Sequence, residues 1–110
     1  MGIILEKMIK ELTTQAVKAH KNDYILVDVR EADELTGPEG CIDGIQHVPL
    51  GPHLAAFLAS ADPESAYVFL CRSGVRSAKA CEIAQLYGFQ KAYNMTGGML
   101  AWQAMESSEG

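Results

Sequence analysis

Two stretches constrain the fold of this chain more than any others: Tyr24-Ile25-Leu26-Val27-Asp28-Val29 and Tyr67-Val68-Phe69-Leu70. Each is an almost unbroken β-branched and apolar run, the pattern of a strand covered on both faces. What surrounds them reads as alternating helix and strand. Ile9 to Leu12 suggests a short edge strand, after which Thr13 or Thr14 can cap a helix to about Lys21, with Ala16, Val17 and His20 on one face. A helical turn is expected near Ala32 to Leu35. A loop through Gly37, Pro38, Gly40 and Gly44 follows, then a short strand over Ile45 to Val48. Pro52 opens a helix whose stripe of Leu54, Phe57, Leu58 and Ala61 ends near Asp62-Pro63. Beyond the second apolar run, Ser77 to Tyr87 predicts a helix with Ala80, Ile83, Ala84 and Tyr87 inward and Gly88 at its end. Lys91 to Asn94 predicts a last strand, Gly97-Gly98 a turn and Met99 to Met105 a final helix carrying Trp102, before a frayed SSEG tail. Alternation of this kind, with loops too long for tight hairpins, implies an α/β fold: a compact domain with a mostly parallel central sheet flanked by helices. Binding groups in such sheets gather beyond the carboxyl ends of the strands, where both Asp28 and Cys71 fall.

Composition narrows the function classes. A chain of 110 residues, 48% hydrophobic and 21% charged, suits one domain over residues 1–110 with fraying at both termini. Its formal charge of -5 argues against a nucleic-acid backbone or an anionic membrane as main partner. Cys41, Cys71 and Cys81 are too few and too widely spaced for a secreted disulfide framework, so reduced thiols and a cytoplasmic location are expected. The opening MGIILEKMIKELTT has neither an export-signal core nor a lipidation pattern, and no apolar run approaches the ~18 residues of a membrane span. Cys41, Cys71, Cys81, His20, His47 and His53 show no paired metal-ligand spacing, so no metal is expected, and Gly97-Gly98 lacks the glycine pattern and Lys-Ser/Thr ending of a nucleotide phosphate loop, so no cofactor is expected.

The chemistry concentrates in Cys71-Arg72-Ser73-Gly74-Val75-Arg76-Ser77. A thiol between a strand end and a helix start faces unpaired backbone N–H groups and the positive end of the helix dipole, an environment that holds an anion. Those donors, with Arg72 and Arg76, should favour the Cys71 thiolate below the reference pKa of ~8.5. They would equally stabilise the terminal sulfur of a persulfide. Gly74 lets the loop turn its amides inward, while Ser73 and Ser77 can donate hydroxyl hydrogen bonds or cap the next helix.

These residues, with Asp28-Val29-Arg30, Gly40-Cys41-Ile42-Asp43-Gly44, His47-Val48-Pro49-Leu50 and Gly97-Gly98 before Trp102, occur in an order that resembles a single-domain rhodanese of the thiosulfate and persulfide sulfurtransferase family. The resemblance implies that Cys71 accepts the sulfur and that Cys71 to Arg76 form a cradle around it. Arg76 would close the cradle and Arg72 would assist in anion binding. Ser73, Gly74, Val75 and Ser77 would line it, and Asp28 and Arg30 would support the strand ends. Members of that family commonly have histidine and alanine where this chain has Cys41 and Ile45, so packing there should differ. Cys41 is expected to be a structural thiol; the alternative, resolving Cys71 through a disulfide, requires their Cα atoms within about 7 Å. Cys81 is expected to pack inertly.

The resemblance implies a sulfurtransferase. Sulfane sulfur would pass from thiosulfate or a persulfide donor through a Cys71 persulfide to a small thiol, cyanide, or a thioredoxin-like or sulfur-relay protein. A persulfide carrier with little turnover on free thiosulfate is the alternative. A cysteine phosphatase or arsenate reductase would surround its oxyanion with a Cys-to-Arg loop one residue longer than the four residues between Cys71 and Arg76. The shorter ring suits a single terminal sulfur.

Overall fold

The computed structural model describes residues 8–109. It contains five strands: β1 (Lys10–Leu12), β2 (Ile25–Asp28), β3 (Gln46–His47), β4 (Tyr67–Leu70) and β5 (Ala92–Met95). The helices are α1 (Thr14–Ala19), α2 (Pro52–Ser60), α3 (Val75–Leu86) and α4 (Gly98–Glu109), with short 3-10 turns at Lys21–Asp23 and Ala32–Thr36. The strands form one parallel sheet in the order β1-β5-β4-β2-β3. The α/β architecture implied by the alternation of strand and helix is the observed one.

The strand period of two decides which side chains serve each layer. Leu26, Val68 and Leu70 face a cluster with Val17, Met95, Met99, Trp102 and Met105 beneath α1 and α4. Val27, Tyr67 and Phe69 face the other way, into Leu54, Leu58, Ala80, Cys81, Ala84 and Phe89 beneath α2 and α3. Because both faces are covered, β2 and β4 cannot alternate with polar residues, which is why they are legible as continuous apolar runs. Each large aliphatic or aromatic side chain buried in this way contributes about 1.5–3 kcal/mol.

Several expected details differ. Thr13 is the N-cap of α1, accepting from the Ala16 N–H, but the helix ends at Ala19 and His20 leaves it for solvent beside Asp23. In α3 the inward stripe is Ser77, Ala80, Cys81 and Ala84, and Tyr87 lies outside on the C-cap. A helix rich in alanine carries little contrast between faces, so Cys81 takes the place expected for Tyr87. Ser107 to Glu109 extend α4 instead of fraying, whereas Gly110 and residues 1–7 lie outside the described residues. Ile45 packs half-buried against the α1 and α4 cluster. Among the described residues no helix is long and apolar enough to cross a membrane.

The chain places β3 on one side of β2 and β4 on the other, so successive connections leave the sheet in opposite directions between β2 and β4. Such a reversal opens a crevice at the carboxyl ends of the two strands. Asp28 ends β2, and Cys71 follows β4.

Candidate active site

Cys71 is buried, and its sulfur is the focus of the loop that follows. Sγ accepts from the Gly74 N–H at 3.1 Å and the Ser77 N–H at 3.4 Å, and the Ser77 hydroxyl oxygen lies 3.3 Å away, within reach to turn its hydrogen toward a thiolate. Gly74 makes this convergence local. Its φ of 104° is left-handed backbone that a side chain would strain, and it serves as the N-cap of α3 without any side-chain capping bond. The first-turn N–H groups of α3 therefore lack carbonyl partners, and Ser77 gives its own to sulfur. The helix begins at Val75, two residues ahead of the expected start, and Ser77 is turned inward in its first turn instead of capping it. Ser73 and Val75 are exposed.

The electrostatics of the thiol follow from this geometry. Burial pushes Cys71 up, but hydrogen bonds from the Ser77 hydroxyl and from the N–H groups of Ser77, Gly74 and Ser73 outweigh it, so the thiol lies below its ordinary value. Cys81, buried without such donors, is pushed up to about 12. Cys41 is exposed and raised, by burial first and then by the nearby Asp28 charge. None of the three cysteines is in a disulfide.

The arginines stand differently from the simplest expectation. Arg76 donates both terminal nitrogens to Glu34, at 2.7 and 2.8 Å. That fork holds the Glu34 carboxyl down to about 2 and raises the Arg76 guanidinium above its ordinary value. Arg72 is more exposed and reaches Glu39 at 3.5 Å. The thiolate-favouring donors are thus the loop's own N–H groups and the Ser77 hydroxyl, while both guanidinium groups are held by carboxylates of the segment after β2.

A buried ion pair positions that segment. Asp28 and Arg30 have no exposed side-chain surface, and Arg30 binds Asp28 through Nε and Nη2 at 2.8 to 3.1 Å. The remaining donors of Arg30 reach the Gly40 carbonyl at 2.8 Å and the Glu34 carbonyl at 3.3 Å. The Arg30 carbonyl in turn accepts from His47 Nε2 at 2.7 Å. Asp28 and Arg30 therefore act at one remove from the sulfur, by fixing the backbone that presents Glu34 to Arg76.

Besides Glu34, two more contributors lay outside the sequence reading. Asn94 on β5 bonds Ser77 and Gly74, and Gly98 seats α4 against the loop. The Met99 and Leu100 N–H groups donate to the carbonyls of Cys71 and Arg72 at 2.8 and 3.0 Å. Tying these carbonyls to α4 turns the loop's peptide planes so that its N–H groups face the sulfur. A Cβ on Gly98, whose φ is +58°, would lie 2.5 Å from each of those two carbonyl oxygens. Gly98→Ala is expected to cost about 2–3 kcal/mol of stability and to slow Cys71 alkylation at neutral pH roughly ten-fold. Thermal unfolding and alkylation followed by peptide mass test this, and wild-type values in both would mean that the loop does not depend on this contact.

The comparisons agree with the geometry. The family model described as "Rhodanese-like domain" matches residues 12–105. "Putative sulfurtransferase YtwF" of Bacillus subtilis is 38% identical over 98 residues, covering 86% of this chain and 91% of that protein. "Thiosulfate sulfurtransferase GlpE" of Pseudomonas savastanoi pv. phaseolicola is 30% identical over 100 residues, covering 86% and 87% respectively. The crystal structure of a rhodanese-like domain protein from Staphylococcus aureus superposes with a TM-score of 0.75 at 32% identity, covering 86% of this chain and 91% of that one. With a parallel sheet, a strand-end cysteine and a family match spanning nearly all the described residues, this chain belongs to the rhodanese-like sulfurtransferase family.

Proposed function

We propose that the protein transfers sulfane sulfur through a Cys71 persulfide. The observation that carries this reading is the convergence of the Gly74 N–H and the Ser77 N–H on one buried sulfur, with the Ser77 hydroxyl within reach of it. The Cys71 thiolate attacks the outer sulfur of the donor. The new Sγ–S bond forms as the donor's S–S bond breaks, and its electron pair leaves with sulfite from thiosulfate or with a thiolate from a persulfide. Charge is conserved, with the negative charge of Cys71 moving to the outer sulfur. A nucleophilic acceptor then takes that sulfur and returns the thiolate, so donor and acceptor chemistry are separated in time. Small thiols, cyanide in an assay, and thioredoxin-like or sulfur-relay proteins are acceptors of the right chemistry. The unpaired cysteines support a reduced, cytoplasmic setting.

The paired arginines favour a persulfide over free thiosulfate as the donor that loads Cys71. A dianion entering the cradle must compete with Glu34 for Arg76 and meet Glu39 beside Arg72. A persulfide brings less charge to the same place. Loading kinetics by rapid-quench mass spectrometry, with thiosulfate and with an alkyl persulfide, test both points. Sulfur addition at Cys71 with either donor supports the transfer reading, and its absence with both overturns it. Glu34→Gln is expected to raise the ratio of thiosulfate to persulfide loading efficiency about 3- to 10-fold by freeing Arg76, with the larger figure at low ionic strength. An unchanged ratio would reject the carboxylate as the cause of donor preference.

A further inference from the structure

Asn94 is a buried polar residue in the middle of the sheet, on the strand next to the one that delivers Cys71. Its side chain touches the cradle twice: Nδ2 donates to the Gly74 carbonyl at 3.1 Å, and Oδ1 lies 2.5 Å from the Ser77 hydroxyl oxygen. The first contact fixes the amide's orientation, because a carbonyl can only accept. Oδ1 must then face Ser77. Two oxygens that close repel unless a hydrogen lies between them, so the Ser77 hydroxyl donates to Asn94. The same hydroxyl lies 3.3 Å from Cys71 Sγ, yet it has a single hydrogen.

That hydrogen is contested, and the outcome depends on the state of Cys71. A protonated Cys71 can donate S–H to Ser77 Oγ while Ser77 donates to Asn94, giving the chain Cys71 to Ser77 to Asn94 with every group satisfied. A thiolate needs the hydroxyl turned toward it, which leaves Ser77 Oγ and Asn94 Oδ1 facing each other without a hydrogen between them. In the persulfide the charge moves to the outer sulfur, Sγ becomes neutral, and the hydroxyl can return to Asn94. We propose that Asn94 is a positioning residue that acts through Ser77: by competing for the hydroxyl hydrogen it biases Cys71 toward the states in which Sγ carries no charge, the thiol and the persulfide. The persulfide half of this inference rests on the sulfur-transfer reading; the thiol half does not. Asn94 thus tempers the acidity that the N–H groups confer and makes loaded enzyme a more favourable resting state.

The charged groups near the cradle are Arg72 on the loop and Arg76 in the first turn of α3, Glu34, Glu39 and Glu31 on the segment facing it, and the Asp28–Arg30 pair under that segment. They remain in Asn94 variants, so their influence is common to each comparison. The test is a double-mutant cycle of Asn94→Ala and Ser77→Ala, reading the pH midpoint of Cys71 alkylation by peptide mass. The cycle subtracts whatever Asn94→Ala does by releasing the Gly74 carbonyl. The effect of Asn94→Ala measured with Ser77 present, minus its effect in Ser77→Ala, should lower the midpoint by about 0.5 to 1 pH, a roughly 3- to 10-fold change in acidity. A difference of zero, or one in the opposite direction, overturns the proposal. If Asn94→Ala does not fold, Asn94→Asp decides. Its stronger acceptor should raise the midpoint more with Ser77 present than in Ser77→Ala, and equal shifts in the two backgrounds overturn the proposal. At a pH above the alkylation midpoints of both proteins, in a mixture of cysteine and cysteine persulfide at fixed ratio, the loading equilibrium of Asn94→Ala should fall about 3- to 10-fold. Failure of any protein to load removes the sulfur-transfer reading, while the alkylation cycle still decides the role of Asn94.

Discussion

Cys71→Ser is expected to abolish sulfur loading altogether. Wild-type protein exposed to an alkyl persulfide should gain one sulfur, roughly 32 Da, at Cys71, and the serine variant should gain none. The other two thiols provide internal controls, because their environments differ in the relevant respect. Cys81, held up to about 12 by burial, is almost wholly protonated at neutral pH and is closed to solvent. Cys41 is accessible, but burial and the Asp28 charge raise it instead of lowering it. Only Cys71 combines a lowered thiol with donors placed to hold an anion on sulfur. Its loading rate should rise with pH and level off below the ordinary thiol range, falling tenfold per pH unit beneath the midpoint. The serine variant should melt within about 1 kcal/mol of wild type, since its oxygen can accept the same loop N–H groups. Stoichiometric sulfur on Cys41 in folded Cys71→Ser would relocate the site.

That the strand-end cysteine is legible in the sequence, whereas the groups controlling it are not, has a physical reason. Cys71, Gly74 and Ser77 lie within seven consecutive residues, so a strand, a glycine and a helix start are enough to make the N–H groups converge on sulfur. Glu34, Asn94 and Gly98 arrive from other elements. Glu34 is one of several carboxylates in an acidic stretch, and nothing local distinguishes it from a solvated charge before Arg30 fixes its backbone. Asn94 offers a weak signal, a polar residue inside the short run Ala92-Tyr93-Asn94-Met95, which a buried strand tolerates only when its amide is satisfied. The Gly97-Gly98 pair reads as a turn, but the requirement for Gly98 comes from two carbonyls more than twenty residues earlier in the sequence. The sheet was readable for the opposite reason: continuous burial on both faces is written into consecutive residues, as in Tyr67–Leu70.

Arg30→Met is expected to be the most destabilising substitution near the site, at about 3–5 kcal/mol. It removes one member of an ion pair with no solvent access and leaves Asp28 as an uncompensated buried carboxylate. For a domain of this size that is a large share of total stability, and should lower Tm by about 15–25 °C. Arg30 has a second job, and a second substitution separates the two. In Asp28→Leu/Arg30→Met the buried charge is gone, so much of the stability should return relative to Arg30→Met alone. The carbonyls of Glu34 and Gly40 nevertheless remain without their guanidinium donor in both variants. The segment carrying Glu34 should therefore be loosened in the double variant despite its recovered melting temperature. Limited proteolysis between residues 31 and 40 reads that loosening directly, and hydrogen exchange reads it at the Gly37 N–H, which wild type donates to the Glu34 carbonyl. Recovery of both stability and protection would confine Arg30 to neutralising Asp28. Recovered stability with lost protection would identify it as the group that holds the Glu34 segment against the cradle.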